Sequence, residues 1–588
     1  MFHCQRRAWV GVLGLLLLVG CGENRAPSPE TSSGQPPSNR VGDPPESSVA
    51  ARPREARPTD WFEDVTARSG VKSVYHSGRA AELFTILETV GGGVAMLDFD
   101  GDHEVDLFFP GGGEFRGSPP QVRGLPGTMC RHLGAMQFED VSGLSRINET
   151  PSDYSHGATV VDFNLDGWPD LFVTCFGESR LLRNDGCGGF DDVTESSGLK
   201  ISGWSTAAAW GDADHDGCPE VFVTGYLTWS LAENKQCFAP DAKTRDVCPP
   251  QQFGPAPSRV FRNCGDGRFD EQTRTAGLRA DGNGLGVVAA DVNEDGWLDF
   301  YVANDVVANH LYLGAPEFRW REVGLISGAA LNEFGAAEGS MGVDFCDFDG
   351  DGHGDLWVTN FELEDNSLYR GSGQGQFTHS TLRVGLGGSS RRNVGFGTGW
   401  ADFDGDGWTE PFVVNGHVLY HSPHSPYRQP AVLYRSQAGR RFIDVTTEAG
   451  PWFAKLHSAR GAALGDLDHD GAIDLVVVSQ DEPATVLRNR KALANWIGVQ
   501  LVGVDCDRDA SGARLSMTFG DRTLVRWITS GAGYLSQFDP RCVFPIDGDH
   551  PVDLIVDWPG GQRERFVGLA PRTTQKLVQG HGTQIKTR

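Results

Sequence analysis

The sequence predicts an all-β fold: a ring of seven four-stranded units, followed by a small β-rich domain. Three observations predict it. An acidic nine-residue loop occurs seven times, a phenylalanine-centred phrase alternates with it, and glycine is abundant (77 of 588 residues) while apolar residues at helical spacing are scarce.

The clearest loop reads Asp347-Phe-Asp349-Gly-Asp351-Gly352-His-Gly-Asp355 and runs into the strand-like Leu356-Trp-Val. Carboxylates stand at positions 1, 3, 5 and 9, with glycine at position 6. The same positions hold Asp98, Asp100, Asp102 and Asp106; Asp162, Asn164, Asp166 and Asp170; Asp212, Asp214, Asp216 and Glu220. They recur as Asp291, Asn293, Asp295 and Asp299; Asp402, Asp404, Asp406 and Glu410; and Asp466, Asp468, Asp470 and Asp474. Alternate residues of a tight loop turn toward one point, so three or four hard oxygens converge there, which suits Ca²⁺. The start resembles an EF-hand, but position 12 lacks the glutamate and the flanks read as strands. Up to seven calcium sites are therefore expected. The first loop departs from the rest, with His103 where glycine belongs.

The second phrase appears as Phe62-Glu-Asp-Val-Thr66, Phe138-Glu-Asp-Val-Ser142, Phe190-Asp-Asp-Val-Thr194, Phe269-Asp-Glu-Gln-Thr273, Phe377-Thr-His-Ser-Thr381 and Phe442-Ile-Asp-Val-Thr446, with a degenerate copy at Trp320-Arg-Glu-Val323. A third element, often Leu-x-Arg-Asn, precedes it, as at Leu182-Arg-Asn184 and Phe261-Arg-Asn263. One repeat is thus strand, loop, strand, Leu-x-Arg-Asn strand and Phe strand, and seven such repeats make a seven-bladed β-propeller. The chain opens on a Phe phrase and the last repeat, at Val486-Leu487-Arg-Asn489, lacks one. Residues 61–66 should therefore supply the missing strand and remove an exposed edge. An open solenoid is the competing architecture.

The formal net charge of −27 argues against nucleic acid, whose phosphates need basic partners. The 28 loop positions hold 26 carboxylates, so calcium would remove much of that charge. Arg6 and Arg7 precede an apolar run from Ala8 to Gly20, too short for an ordinary membrane span. The run ends Leu18-Val19-Gly20-Cys21, which resembles a bacterial lipobox and implies cleavage to leave Cys21 lipidated; a plain secretory signal or short anchor is the alternative. Residues 1–21 are read as signal, 22–59 as a Pro/Ser-rich disordered tether, 60–490 as propeller and 491–588 as the second domain. The expected location is the cell envelope, on the periplasmic face or cell surface, with the membrane engaged only through the lipid. Cys237 and Cys248 flank a short loop and are the favoured disulfide; Cys506 and Cys542 are a second pairing.

The loops with their glycine-rich preceding strands, such as Gly342-Val-Asp-Phe and Gly395-Phe-Gly397, resemble FG-GAP/VCBS repeats, the repeats of integrin α-subunit propellers. The resemblance covers about residues 60–490 and implies calcium held by positions 1, 3, 5 and 9 with the carbonyl of position 7. Past Asn495, Trp496-Ile-Gly-Val-Gln-Leu-Val, Ser511-Gly-Ala-Arg-Leu515, Ser530-Gly-Ala-Gly-Tyr-Leu-Ser536 and Val556-Asp-Trp-Pro-Gly-Gly561 resemble the ASPIC/UnbV domain of the cartilage acidic protein family. Phe544-Pro-Ile-Asp547 departs from that family's glycine-rich turn.

Candidate chemistry beyond the loops is thin. His417, His421 and His424 lie in a Pro-rich stretch that fits an ordered insertion better than a metal site. Trp168, Trp297 and Trp408 each occupy loop position 7, where packing between blades is the simplest use. Glu88 with Gly91-Gly92-Gly93 is no phosphate loop, and neither Gly-x-Ser-x-Gly nor His-Glu-x-x-His occurs. The sequence therefore reads as a non-enzymatic, calcium-binding scaffold for protein or glycan partners, with insertions 107–137 and 225–258 building the recognition surface. The alternative is a carbohydrate-active or biosynthetic enzyme working at the propeller axis.

Overall fold

The computed structural model describes residues 54–585. The lipobox, Cys21 and most of the tether lie outside the described residues.

Each repeat folds as an antiparallel meander of four strands. The first sheet comprises Ala95–Leu97, Asp106–Phe109, Thr128–His132 and Phe138–Asp140. The second comprises Tyr154–Val161, Asp170–Glu178, Arg180–Asn184 and Phe190–Asp192. The third comprises Ser202–Gly211, Glu220–Gly225, Arg259–Asn263 and Phe269–Glu271. The fourth comprises Gly284–Ala290, Asp299–Asn304, His310–Ala315 and Arg319–Glu322. The fifth comprises Val343–Cys346, Asp355–Val358, Ser367–Gly371 and Phe377–His379. The sixth comprises Gly395–Ala401, Glu410–Asn415, Val432–Ser436 and Phe442–Asp444. The seventh comprises Ala459–Gly465, Asp474–Ser479 and Thr485–Asn489, completed by Phe62–Asp64 from the start of the repeat region. Every Phe phrase is a fourth strand, because its apolar first residue is buried while the residues after it face outward.

Closure follows the order of elements in the sequence. Phe62 pairs with Asn489 and Asp64 with Leu487, antiparallel. The Phe62 ring lies 5.6 Å from both Phe403 and Phe453, so the clasp is packed as well as hydrogen-bonded. The first strand of each sheet touches the first strand of the next, and the seventh touches the first. The result is a closed all-β propeller, not a solenoid. Apolar clusters fill the gaps between neighbouring sheets, as Phe163, Trp210 and Phe269 do between the second and third. The second and third sheets also join at an edge, where Trp204 pairs with Phe176.

The C-terminal module has two sheets around its own core of Ile497, Leu515, Leu554 and Val556. Its parallel pairing, Trp496–Val502 with Thr574–Val578, sets it apart from the meanders. The departing segment forms strand Cys542–Pro545 against Trp496–Val502, with Phe544 buried. Among the described residues no helix is long and apolar enough to cross a membrane.

Candidate metal centres on the propeller loops

All seven acidic loops join the first and second strands of their sheets, so all lie on one face. They share one hydrogen-bond scheme. One oxygen of the position-1 carboxylate accepts the N–H of position 6, as Asp347 does from Gly352 at 2.9 Å and Asp466 from Gly471 at 2.9 Å. The position-9 carboxylate accepts the N–H of position 2 with one oxygen and a third-strand N–H with the other. Asp355 does so from Phe348 at 3.0 Å and Gly371 at 2.7 Å; Asp474 does so from Leu467 at 2.9 Å and Asn489 at 2.7 Å. Position 9 therefore staples each loop to its sheet. Position 6 needs a left-handed backbone, with φ of 88° at Gly352. His103 adopts the same conformation at 73°, and its N–H reaches Asp98 at 3.1 Å. The first loop keeps the shared geometry at the expense of local strain.

Ligand-type oxygens converge in these loops. Carboxylate oxygens lie within 4.8 Å of one another in Asp98, Asp100 and Asp106; in Asp212, Asp214 and Asp216; and in Asp347, Asp349 and Asp351. They do so too in Asp402, Asp404 and Glu410, and in Asp466, Asp468 and Asp474. The loops at Asp162 and Asp291 carry asparagine at position 3 and so bring fewer carboxylates together. The inner oxygens, Oδ1, of Asp100, Asp214, Asp404 and Asp468 are buried with no hydrogen-bond partner. A buried acceptor without a partner costs about 1–3 kcal/mol, and more when charged. The same atom is orphaned in four loops, which points to a partner beyond the chain's own donors. The donors are all hard oxygens, so the residues fit a hard cation.

Burial raises the pKa of these carboxyl groups. Desolvation lifts Asp347 to about 6, Asp212, Asp291, Asp402 and Asp466 to about 7, Asp106 to about 8 and Asp170 to about 9. Neighbouring carboxylates add to the rise, as Asp162 and Asp166 do at Asp170.

The C-terminal module docks on the loop face. Arg514 donates to the carbonyl of Gly352 at 2.9 Å, Arg522 to Asp406 at 3.0 Å and Arg541 to Asp466 at 3.2 Å. Asp509 and Asp507 accept the N–H groups of Asp162 at 3.1 Å and Asp212 at 3.3 Å. A polar cleft of about 780 Å³ remains beside the fourth and fifth loops, lined by Trp297, His353, Asp521 and Asp557.

The segment Ser530–Gln537 leaves this module and enters the propeller axis. Ser530 and Gly533 bond to the inner strands of the fourth and fifth sheets, through Ala289 at 2.9 Å and Val343 at 2.7 Å. Leu535 and Gln537 accept from Ala158 at 3.2 Å and Met96 at 3.1 Å in the second and first sheets. Tyr534, fully buried, packs against Phe396 of the sixth. On the opposite face three insertions close over the axis. Tyr420 donates to Glu88 at 3.0 Å, and Asp246 accepts the N–H groups of Tyr420 and His421 at 3.0 Å each. Between these lids Arg460 is wholly buried, bonded to the carbonyls of Thr89, Gly416 and His417. The axis is a packed core. The glycine-rich run at 530–536 reads in sequence as part of the small β module; its small residues instead permit close backbone approach.

Other sequence expectations resolve as follows. His417 is buried beside Glu362 at 3.1 Å, and the three histidines do not gather around one point. The tryptophans of position 7 pack on position 4 of the preceding loop: Trp297 stacks on His215 at 4.1 Å, while the Trp168 and Trp408 rings lie against Gly101 and Gly350. Cys237 and Cys248 form a disulfide. The pairing of Cys506 with Cys542 is not formed: both are free thiols, Cys506 beside Gln579 and Cys542 in register with Val499.

Residues 162–223, 253–302, 291–358 and 347–413 match the family model of the FG-GAP-like repeat. Residues 503–584 match that of ASPIC and UnbV. Cartilage acidic protein 1 of Xenopus tropicalis is 30% identical over 174 residues, 28% of this chain and 25% of that protein. The Homo sapiens protein is 28% identical over 169 residues, 28% and 24% of the two chains. The chain spans about a quarter of the length of the curated relatives it matches. Among solved structures, the BP39L lectin from Burkholderia pseudomallei aligns with a TM-score of 0.41 at 12% identity, over 68% of this chain and 96% of that one. An Agrocybe aegerita lectin recognising non-reducing terminal N-acetylglucosamine aligns at 0.38 and 13% identity, over 70% and 90%. The chain thus carries FG-GAP-like repeats within residues 162–413, followed by an ASPIC and UnbV domain at residues 503–584.

Proposed function

We propose that the protein is a calcium-stabilised propeller scaffold, held at the bacterial cell envelope by a lipid on Cys21, that binds protein or glycan partners. The observation that carries the calcium reading is the set of orphaned inner oxygens on Asp100, Asp214, Asp404 and Asp468. Calcium would be held by positions 1, 3, 5 and 9 of each loop, where it would offset charges that otherwise repel. A bound cation there ties first, second and third strands together through residues already stapled to the sheet.

The packed axis and the covered loop face direct a partner to the opposite face. The connections between second and third strands lie there, including the hairpin of Gly113–Arg116 with Gln121–Gly124 and the disulfide-bearing insertion. A rigid scaffold carrying variable loops suits recognition rather than chemistry. The envelope reading rests on the lipobox-like sequence at Cys21.

Two measurements test this reading. Wild-type protein expressed in a bacterial host should partition with membranes, while Cys21→Ala should move to the soluble fraction; equal partitioning of both would remove the anchor. Residues 54–588 on a glycan and protein array should give calcium-dependent binding that is lost when the hairpin of Gly113–Arg116 with Gln121–Gly124 is shortened to a turn. Binding unaffected by that change would remove the assigned surface.

A further inference from the structure

The fourth residue of the third strand is arginine in six of the seven sheets, and in four of them it reaches an aspartate at loop position 3. Five loops have carboxylates at every ligand position, and in four of these the arginine grips the outer oxygen of position 3. Arg262 meets Asp214 at 2.5 Å and Asp216 at 3.2 Å. Arg488 meets Asp468 at 2.5 Å and Asp470 at 2.8 Å. Arg435 meets Asp404 at 2.8 Å, and Arg370 joins Asp349 and Asp351. The outer oxygen is thus occupied while Oδ1 of Asp214, Asp404 and Asp468 faces inward without a partner. Side-chain exposure at Asp214 and Asp404 is only 9% and 7%.

The two asparagine loops differ in both places. Asn164 and Asn293 donate to Asp166 and Asp295 at 2.8 Å each, so an amide takes the place of the guanidinium. Arg183 turns away to Asp191 at 3.1 Å, and the fourth sheet carries Leu313 at the same position. Four carboxylates with an arginine, or three without one, leave the same charge of −3. The first loop stands apart, since Arg131 pairs with Glu139 at 3.1 Å and acts on Asp100 only through space.

We propose that Arg262, Arg370, Arg435 and Arg488 are positioning residues that set the calcium affinity of their loops, aiming one oxygen of position 3 inward and cancelling one of four ligand charges. This rests on the calcium reading above. Partners of metal ligands orient them and tune the site, and affinity follows ligand charge. The arginine therefore lowers affinity toward that of the asparagine loops while easing carboxylate repulsion in the empty loop. The six sites other than the first loop's then fill over a narrow range of calcium concentration.

The test is competition of residues 54–588 with a fluorescent calcium chelator, alongside melting in excess chelator. In Arg370→Gln/Arg435→Gln about two sites should bind about tenfold more tightly, and the calcium-free melting temperature should fall. Arg370→Lys/Arg435→Lys, which keeps the charge, should stay within about threefold of wild type. Arg183→Gln should leave the binding curve unchanged. Unchanged or weaker binding in the glutamine variant, with calcium still bound by wild type, would overturn the charge-setting role alone. No calcium bound by wild type would overturn the calcium reading itself.

Discussion

Stripping calcium at pH 8 should lower the melting temperature by about 17 °C. A ligand at a hundred times its dissociation constant adds about 2.7 kcal/mol per site, or about 19 kcal/mol over seven sites. Unfolding roughly 530 residues has an entropy near 1.1 kcal/mol per kelvin, which converts that sum to the stated shift. The pH dependence has a definite sign. Carboxyls raised from about 4 to between 6 and 9 in the empty loops contribute stability below pH 4, and lose it as pH rises through their folded values. The chelated protein should therefore melt lower at pH 8 than at pH 5.5. The calcium-loaded protein should show the reverse, because protons compete with the ion for the same oxygens. Scanning calorimetry at the two pH values, with and without chelator, checks all four points. A chelator effect that grows toward acid pH would contradict the assignment.

The second large effect concerns the axial segment. A Cβ on Gly93 would sit 1.8 Å from the carbonyl oxygen of Leu535, a backbone atom that cannot rotate aside. Gly93→Ala should expel Ser530–Gln537 from the axis, lower stability by more than about 3 kcal/mol and loosen the C-terminal module. Hydrogen exchange should then show lost protection at Gly533, and at Val343 and Ala158, whose N–H groups bond to Gly533 and Leu535. Gly143→Ala is the control, with nothing within 4 Å of the added atom. Unchanged exchange in Gly93→Ala would mean that the segment is not seated as described.

What was legible in the sequence was what is local and repeated. Positions 1 to 9 of the loops and the Phe phrase sit within a few residues of one another, so their spacing alone placed the strands. Ring closure was legible because a missing strand at one end matched a surplus at the other, Phe62 against Asn489. Cys237 and Cys248 were readable from the short loop between them. Cys506 and Cys542 were not, since membership of one domain says nothing of where two strands bring their thiols.

Two features were hidden because they depend on direction in space. The arginine of the Leu-x-Arg-Asn phrase was visible, but its reach across the sheet to Asp468 or Asp349 depends on which face of the strand it occupies. The run at 530–536 reads as part of the small β module, and only its bonds to inner strands of the ring show its place. His103 illustrates the converse: a residue that breaks the sequence pattern still adopts the pattern's backbone, because its neighbours impose it.

The central claim is that the loops are calcium sites. It is tested most directly by titrating chelator-treated residues 54–588 with calcium in an isothermal calorimeter, at pH 7.5 and moderate salt. The account predicts saturation near seven equivalents, with proton release read as a measured heat that changes linearly with the ionisation enthalpy of the buffer. Saturation below two equivalents, or no heat with full secondary structure retained, would contradict it.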